Sequence, residues 1–119
     1  MNKIKIILIP LILIVVACTS NNEDENKTFD SFLKNEWQKT LKENPIFASY
    51  TGDKRYNTKI SSNSIDRFYE VKISEEESMK ALKSINFDKL NEDNQLNYKL
   101  YLFGLQNSIN LKNYPTYCY

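Results

Sequence analysis

Twelve consecutive apolar residues, 6–17, follow Lys3 and Lys5 near the N-terminus, and this run constrains the chain more than any other feature. A positive start followed by an apolar stretch is the plan of a secretory signal. Twelve residues are too few to cross a bilayer core of roughly 30 Å, which needs about 20 apolar residues. Residues 1–17 are therefore read as a sorting segment that contributes nothing to a core. They hold 13 of the 49 apolar residues, so the 102 residues from Cys18 onward have 36, and the part that must fold is rather polar.

The run ends in Val15-Val16-Ala17-Cys18, which resembles the bacterial lipobox, where a small residue precedes the cysteine that receives the lipid. The Cys18 thiol would take a diacylglyceryl group and, after cleavage, Cys18 would begin the mature chain. Its palmitate-like acyl chains would anchor it, each buried methylene worth about 0.8 kcal/mol. The expected partner is thus a membrane, reached through lipidated Cys18. Residues 18–27 carry Thr19-Ser20-Asn21-Asn22-Glu23-Asp24-Glu25-Asn26-Lys27 behind the cysteine and read as a polar tether. Asp is the inner-membrane retention signal after a lipidated cysteine in Gram-negative cells, and Thr19 occupies that place. An outer-membrane location facing the periplasm follows if the cell has one.

From residue 28 the pattern is helical, and the expected fold class is all-α: a signal helix, then about four helices packed as an incomplete bundle. Phe29, Phe32, Leu33, Trp37 and Leu41 recur at three-and-four spacing, with Thr28 as the expected N-cap. The helix should stop at Asn44, before Pro45. A short helix with Asn44 as cap and Pro45 at its first position should close at Gly52 in the left-handed region. Residues 53–64 read as a loop. A third helix is expected from about Ile65, carrying Phe68, Tyr69, Met79, Leu82 and Ile85. Ser74-Glu75-Glu76-Glu77 matches a capping box, but no Gly or Pro interrupts the segment and one long helix is preferred. Asn91 should cap a fourth helix, with Glu92 and Asp93 in its first turn. Its apolar residues, among them Leu96, Tyr98, Leu100, Tyr101, Leu102, Phe103, Leu105 and Ile109, surround most of its circumference, so it expects neighbours on several sides.

Chemistry-bearing patterns are few. The chain has no His and two Gly, which excludes His-dependent triads, His-ligated zinc and Gly-rich nucleotide loops. The formal charge is +1 with both leader lysines included, and nothing resembles the basic stripe of a nucleic-acid binder. No catalytic residue, cofactor or metal ligand is nominated. Glu75, Glu76 and Glu77 point to different sides of a helix and read as a solvated face rather than a converging acid and base pair. Asp53-Lys54-Arg55-Tyr56 reads as ordinary loop chemistry, and the aromatic residues as core rather than a sugar-stacking set. Cys118 is the thiol left over once Cys18 is lipidated, open either to pairing between chains or to no role.

The order of these features resembles the N-terminal part of a bacterial family called domain of unknown function 885. The residues that carry the likeness are the turn Asn44-Pro45-Ile46-Phe47-Ala48-Ser49-Tyr50-Thr51-Gly52-Asp53 and the segment Ile85-Asn86-Phe87-Asp88-Lys89-Leu90-Asn91-Glu92-Asp93 leading into Leu96-Asn97-Tyr98. The likeness extends over residues 28–114. Members of the family are longer, largely helical, and look like gluzincin-type zinc peptidases with a His-Glu-x-x-His helix in their later portion, where the His residues bind zinc and the Glu activates water. The resemblance implies that residues 28–119 are a truncated N-terminal wall of a substrate cleft, and that no catalytic position carries over. The competing expectation is a self-sufficient small periplasmic lipoprotein that binds or inhibits another protein. A carboxylate-only hydrolase is a third reading, with no convergent pair of acids to nominate for it.

Overall fold

Residues 11–43 contain no Gly or Pro, and the backbone runs through them as one helix. A computed structural model describes the backbone of residues 5–114 and the side chains of residues 23–114. It is all-α, with no strand among the described residues: α1 (Lys5–Glu43), α2 (Pro45–Tyr50), α3 (Ile65–Ser84) and α4 (Glu92–Lys112), with single 3₁₀ turns at Lys54–Tyr56 and Phe87–Lys89. The signal segment and tether expected from sequence fall within or ahead of α1. Cys118 lies outside the described residues, and so does the side chain of Cys18.

The first helix does not start at Thr28. The Thr28 hydroxyl donates back to the Asp24 carbonyl at 3.0 Å and the Ser31 hydroxyl to that of Lys27 at 2.8 Å, so both bond within the helix instead of capping it. An exposed Glu23–Lys27 pair at 3.9 Å adds the modest support of i,i+4 charges. Contacts from far along the chain hold this segment too. The Glu25 carboxylate accepts from the Asn86 backbone N–H, and Asn26 Oδ1 accepts from the Asn91 N–H and from Asn94 Nδ2, both at 3.0 Å.

At its other end α1 stops at Glu43, as Pro45 requires. Asn44 holds the N-cap position of α2, but its side chain does not cap: Nδ2 donates to the Thr40 carbonyl at 3.2 Å. The expected closure at Gly52 is present, with φ +87°. Gly52 N–H donates to Ser49 O at 3.1 Å and Asp53 N–H to Ala48 O at 2.8 Å, the paired bonds of a Schellman ending. Ser64 caps α3, which is a single uninterrupted helix, and Asn91 caps α4, accepting from Asn94 N–H at 2.8 Å.

Contacts fix the topology. Along α1, residues Asn26 and Glu36 meet Asn94 and Tyr101 of α4, so those two helices run parallel. Glu36 and Lys39 meet Ser78 of α3, whereas Glu25 meets Asn86 just past its end, so α3 runs the opposite way. The shared core holds Phe29, Leu82, Ile85, Leu90, Tyr98 and Leu105, with Phe32, Leu33, Met79, Phe87, Tyr101 and Leu102 partly buried around it. Phe29 and Leu82 are completely enclosed. Rings tie the elements together: Phe29 to Tyr98 at 6.0 Å, Phe32 edge-on to Tyr101 at 5.5 Å, and Phe87 edge-on to Tyr98 at 5.4 Å. Several expected core residues sit outside it. Trp37 is about half exposed against Phe47, and Tyr69 lies outward on α3.

Helix α4 has two apolar sides. Tyr98 and Leu105 face the core, with Tyr101 and Leu102 flanking them, whereas Leu96 (59% exposed), Leu100 (61%), Phe103 (68%) and Leu111 (53%) form a stripe on the opposite side. Helices α1 and α3 cover one side only, and the outer stripe faces solvent.

Candidate functional site

The densest polar chemistry lies where the three long helices meet, at positions that sequence reasoning did not single out. Glu36 of α1 is turned inward, and its Oε2 accepts from the Tyr101 hydroxyl and from Ser78 Oγ, both at 2.8 Å. Lys39, one turn further on, donates to Ser78 Oγ at 2.7 Å and to the Ser74 carbonyl at 3.0 Å, and its Nζ is 3.7 Å from Glu36 Oε1. Ser78 is almost fully buried. Burial first, and then the hydrogen bond to the Glu36 carboxylate, push the Tyr101 hydroxyl well above the usual tyrosine range. The available signal was an i,i+3 pair of opposite charge, Glu36 and Lys39, on the edge of the apolar face of α1. A serine and lysine at hydrogen-bond distance also occur in hydrolytic dyads, but here the serine is enclosed, so no substrate carbonyl reaches it. The cluster joins the helices by specific bonds.

The triplet at 75–77 divides. Glu76 and Glu77 are exposed, as a solvated face requires. Glu75 is not part of that face: its side chain is 19% exposed, and its carboxylate accepts from Lys112 Nζ at 2.8 and 2.9 Å and from Ser108 Oγ at 2.7 Å. Successive residues on a helix are turned about 100° from one another, so one of three adjacent glutamates faces α4 while the other two face water. The loop acid Asp53 accepts from the Arg55 backbone N–H at 3.0 Å and holds the guanidinium in a fork, which also reaches Gln38 at 2.7 Å. Hydrogen bonds from Arg55 keep the Asp53 carboxyl below its ordinary range. This is a loop clasp onto α1, in keeping with the structural reading of those residues.

A basic groove lies at the end of α1. The end of α1, residues 59–62 and α3 as far as Glu77 border an open groove of 580 Å³ lined by Lys39, Lys42, Lys59, Arg67, Glu43 and Glu77 together with Pro45, Ile60 and serines. Arg67 reaches Glu43 at 3.6 Å and Glu70 at 3.3 Å.

Among the described residues no group of three or more Cys, Asp or Glu side chains is placed to hold a metal ion. No helix there is long and apolar enough to cross a membrane. Comparison with family models, with curated proteins and with solved structures found no match for this chain.

Proposed function

We propose that this chain is a lipid-anchored protein of the bacterial cell envelope whose helices form the N-terminal wall of a larger, peptidase-like fold of the family 885 type, with no catalysis of its own. The observation that carries the reading is the outer stripe of α4. Leu96, Leu100, Phe103 and Leu111 occupy the side of α4 opposite its core face, so this helix is patterned to lie between two layers and α1 and α3 supply only one. The Val15-Val16-Ala17-Cys18 box supplies the anchor, and the Pro45 and Asn91 segments supply the family likeness.

The gene beyond the codon for Tyr119 tests the wall. A continuation in any frame encoding His-Glu-x-x-His supports it, and a stop followed by a transcription terminator refutes it. Metabolic labelling with a palmitate analogue tests the anchor independently. Label should enter the native chain and be absent from Cys18→Ser; equal labelling of both would sink the lipobox assignment.

A further inference from the structure

We infer that the groove at the end of α1 is a binding site for a phosphomonoester, a phosphorylated organic molecule held by its dianionic group. The inference is independent of the proposed envelope role. Four cations line the groove, Lys39, Lys42, Lys59 and Arg67, against two carboxylates, Glu43 and Glu77. Two of the cations are engaged within the fold: Arg67 with Glu43 and Glu70, and Lys39 with Ser78, Ser74 and Glu36. Neither Lys42 nor Lys59 has a carboxylate within ion-pair distance among the described residues, and the only contact made by the Lys59 ammonium is with the Tyr56 ring at 5.8 Å. Lys42 and Lys59 are thus the two cations left for a ligand, opposed in the groove by the carboxylate of Glu77, and a phosphomonoester carries about −1.5 to −2 at neutral pH.

A hydroxyl group suited to an oxyanion stands in the same wall. Ser62 Oγ accepts from the Ser64 N–H at 3.2 Å, which leaves its own proton for a ligand, whereas the neighbouring Ser61 hydroxyl already donates to the Glu43 carbonyl at 3.4 Å. A cavity of 580 Å³ is much larger than a bare phosphate and falls within the range of small-molecule sites, roughly 300–1,000 Å³. Pro45 and Ile60 give the organic part an apolar surface, and Ile60 is 91% exposed, so its side chain is available to cover a ligand. A phosphate on a neighbouring membrane is a poor fit, because Lys39 lies 21 residues along α1 from Cys18, about 30 Å at 1.5 Å per residue.

The test is isothermal titration of the full chain in non-ionic detergent with phenyl phosphate, inorganic phosphate and phenol as probes. The expected result is saturable binding of phenyl phosphate at low salt, weaker binding of inorganic phosphate, and none of phenol. Lys42→Gln with Lys59→Gln should weaken phenyl phosphate at least tenfold, and Glu77→Gln should strengthen it several-fold. Lys80→Gln with Lys83→Gln, which removes the same charge from a different groove, should change it less than twofold. All of these side chains line grooves at the surface, and circular dichroism checks that every variant keeps its helices. No saturation with phenyl phosphate, equal losses in the two double variants, or phenol binding as tight as phenyl phosphate would each overturn the assignment.

Discussion

Truncating two residues of α4 that lie two positions apart separates its faces. Leu105 is 8% exposed in the shared core and Phe103 is 68% exposed on the outer stripe. Leu105→Ala removes three buried carbons and leaves a cavity that Phe29, Leu82 and Tyr98 fill only in part, which costs about 2–4 kcal/mol. Phe103→Ala removes a larger side chain from water, and alanine favours the helix by a few tenths of a kcal/mol, so the change should be neutral within about 0.5 kcal/mol. For a helical part of this size 1 kcal/mol shifts the melting midpoint by about 4–8 °C, so Leu105→Ala should lower it by about 8–32 °C and Phe103→Ala hardly at all. The assay is thermal and urea unfolding followed at 222 nm, at two protein concentrations tenfold apart, with Cys18→Ser as the common background. Equal losses for both variants, independent of concentration, would refute the burial assigned to α4. A loss for Phe103→Ala that grows with concentration would show instead that two copies cover the stripe.

The Glu75–Lys112 pair has both side chains about four-fifths buried. A double-mutant cycle with Glu75→Gln and Lys112→Met should give a coupling of about 1 kcal/mol, above the value of exposed pairs, and a coupling indistinguishable from zero would show the pair is open in solution. Gly52→Ala meets no steric obstacle, since nothing lies within 4 Å of the added carbon, but the φ of +87° should make it cost about 1 kcal/mol in the same urea assay. An unchanged midpoint would show that α2 ends differently. Tyr101 has its hydroxyl raised in the fold, so its stabilising contribution is complete below pH 10 and is lost as pH rises above the ordinary tyrosine value of 10.0. Ultraviolet titration should show one tyrosine ionising only as the helices unfold, and Tyr101→Phe should abolish that late step. A late step surviving in the variant would assign it elsewhere.

Much of this fold was legible because local rules decide it. Pro45 ends α1 and opens α2, Gly52 supplies the left-handed residue that closes α2, Asn91 caps α4, and α3 is continuous because no breaker interrupts it. What was not legible depends on partners distant in sequence. Thr28 looked like a cap because a threonine ahead of an apolar run signals one, yet the helix is held further back by the Asn86 and Asn91 amides, over 60 residues away. Glu75 looked like its two neighbours, and only its position opposite Lys112 distinguishes it. The Glu36–Ser78–Tyr101 cluster draws its members from three helices, so no window of sequence contains it.

The hold on Glu25 and Asn26 bears on how an anchored chain would present its bundle. Both side chains accept backbone N–H groups at the start of other elements, Asn86 ahead of the Phe87–Lys89 turn and Asn91 at the cap of α4. Those amides would otherwise need water or another side chain, so the polar segment completes the end of the bundle as well as leading to it. The backbone between Cys18 and Glu25 is helical, and seven residues at 1.5 Å each amount to about 10 Å. With Cys18 acylated, the bundle would stand one short helical step from the membrane surface, its orientation tied to α1. A flexible tether of the same length would leave that orientation free. Two accepting side chains at the base, Glu25 and Asn26, therefore decide between a fixed and a swivelling bundle. Their joint replacement by alanine should free amide exchange at Asn86 and Asn91 while leaving the Phe29–Tyr98 core protected, and protection unchanged at those two amides would mean that the segment does not dock.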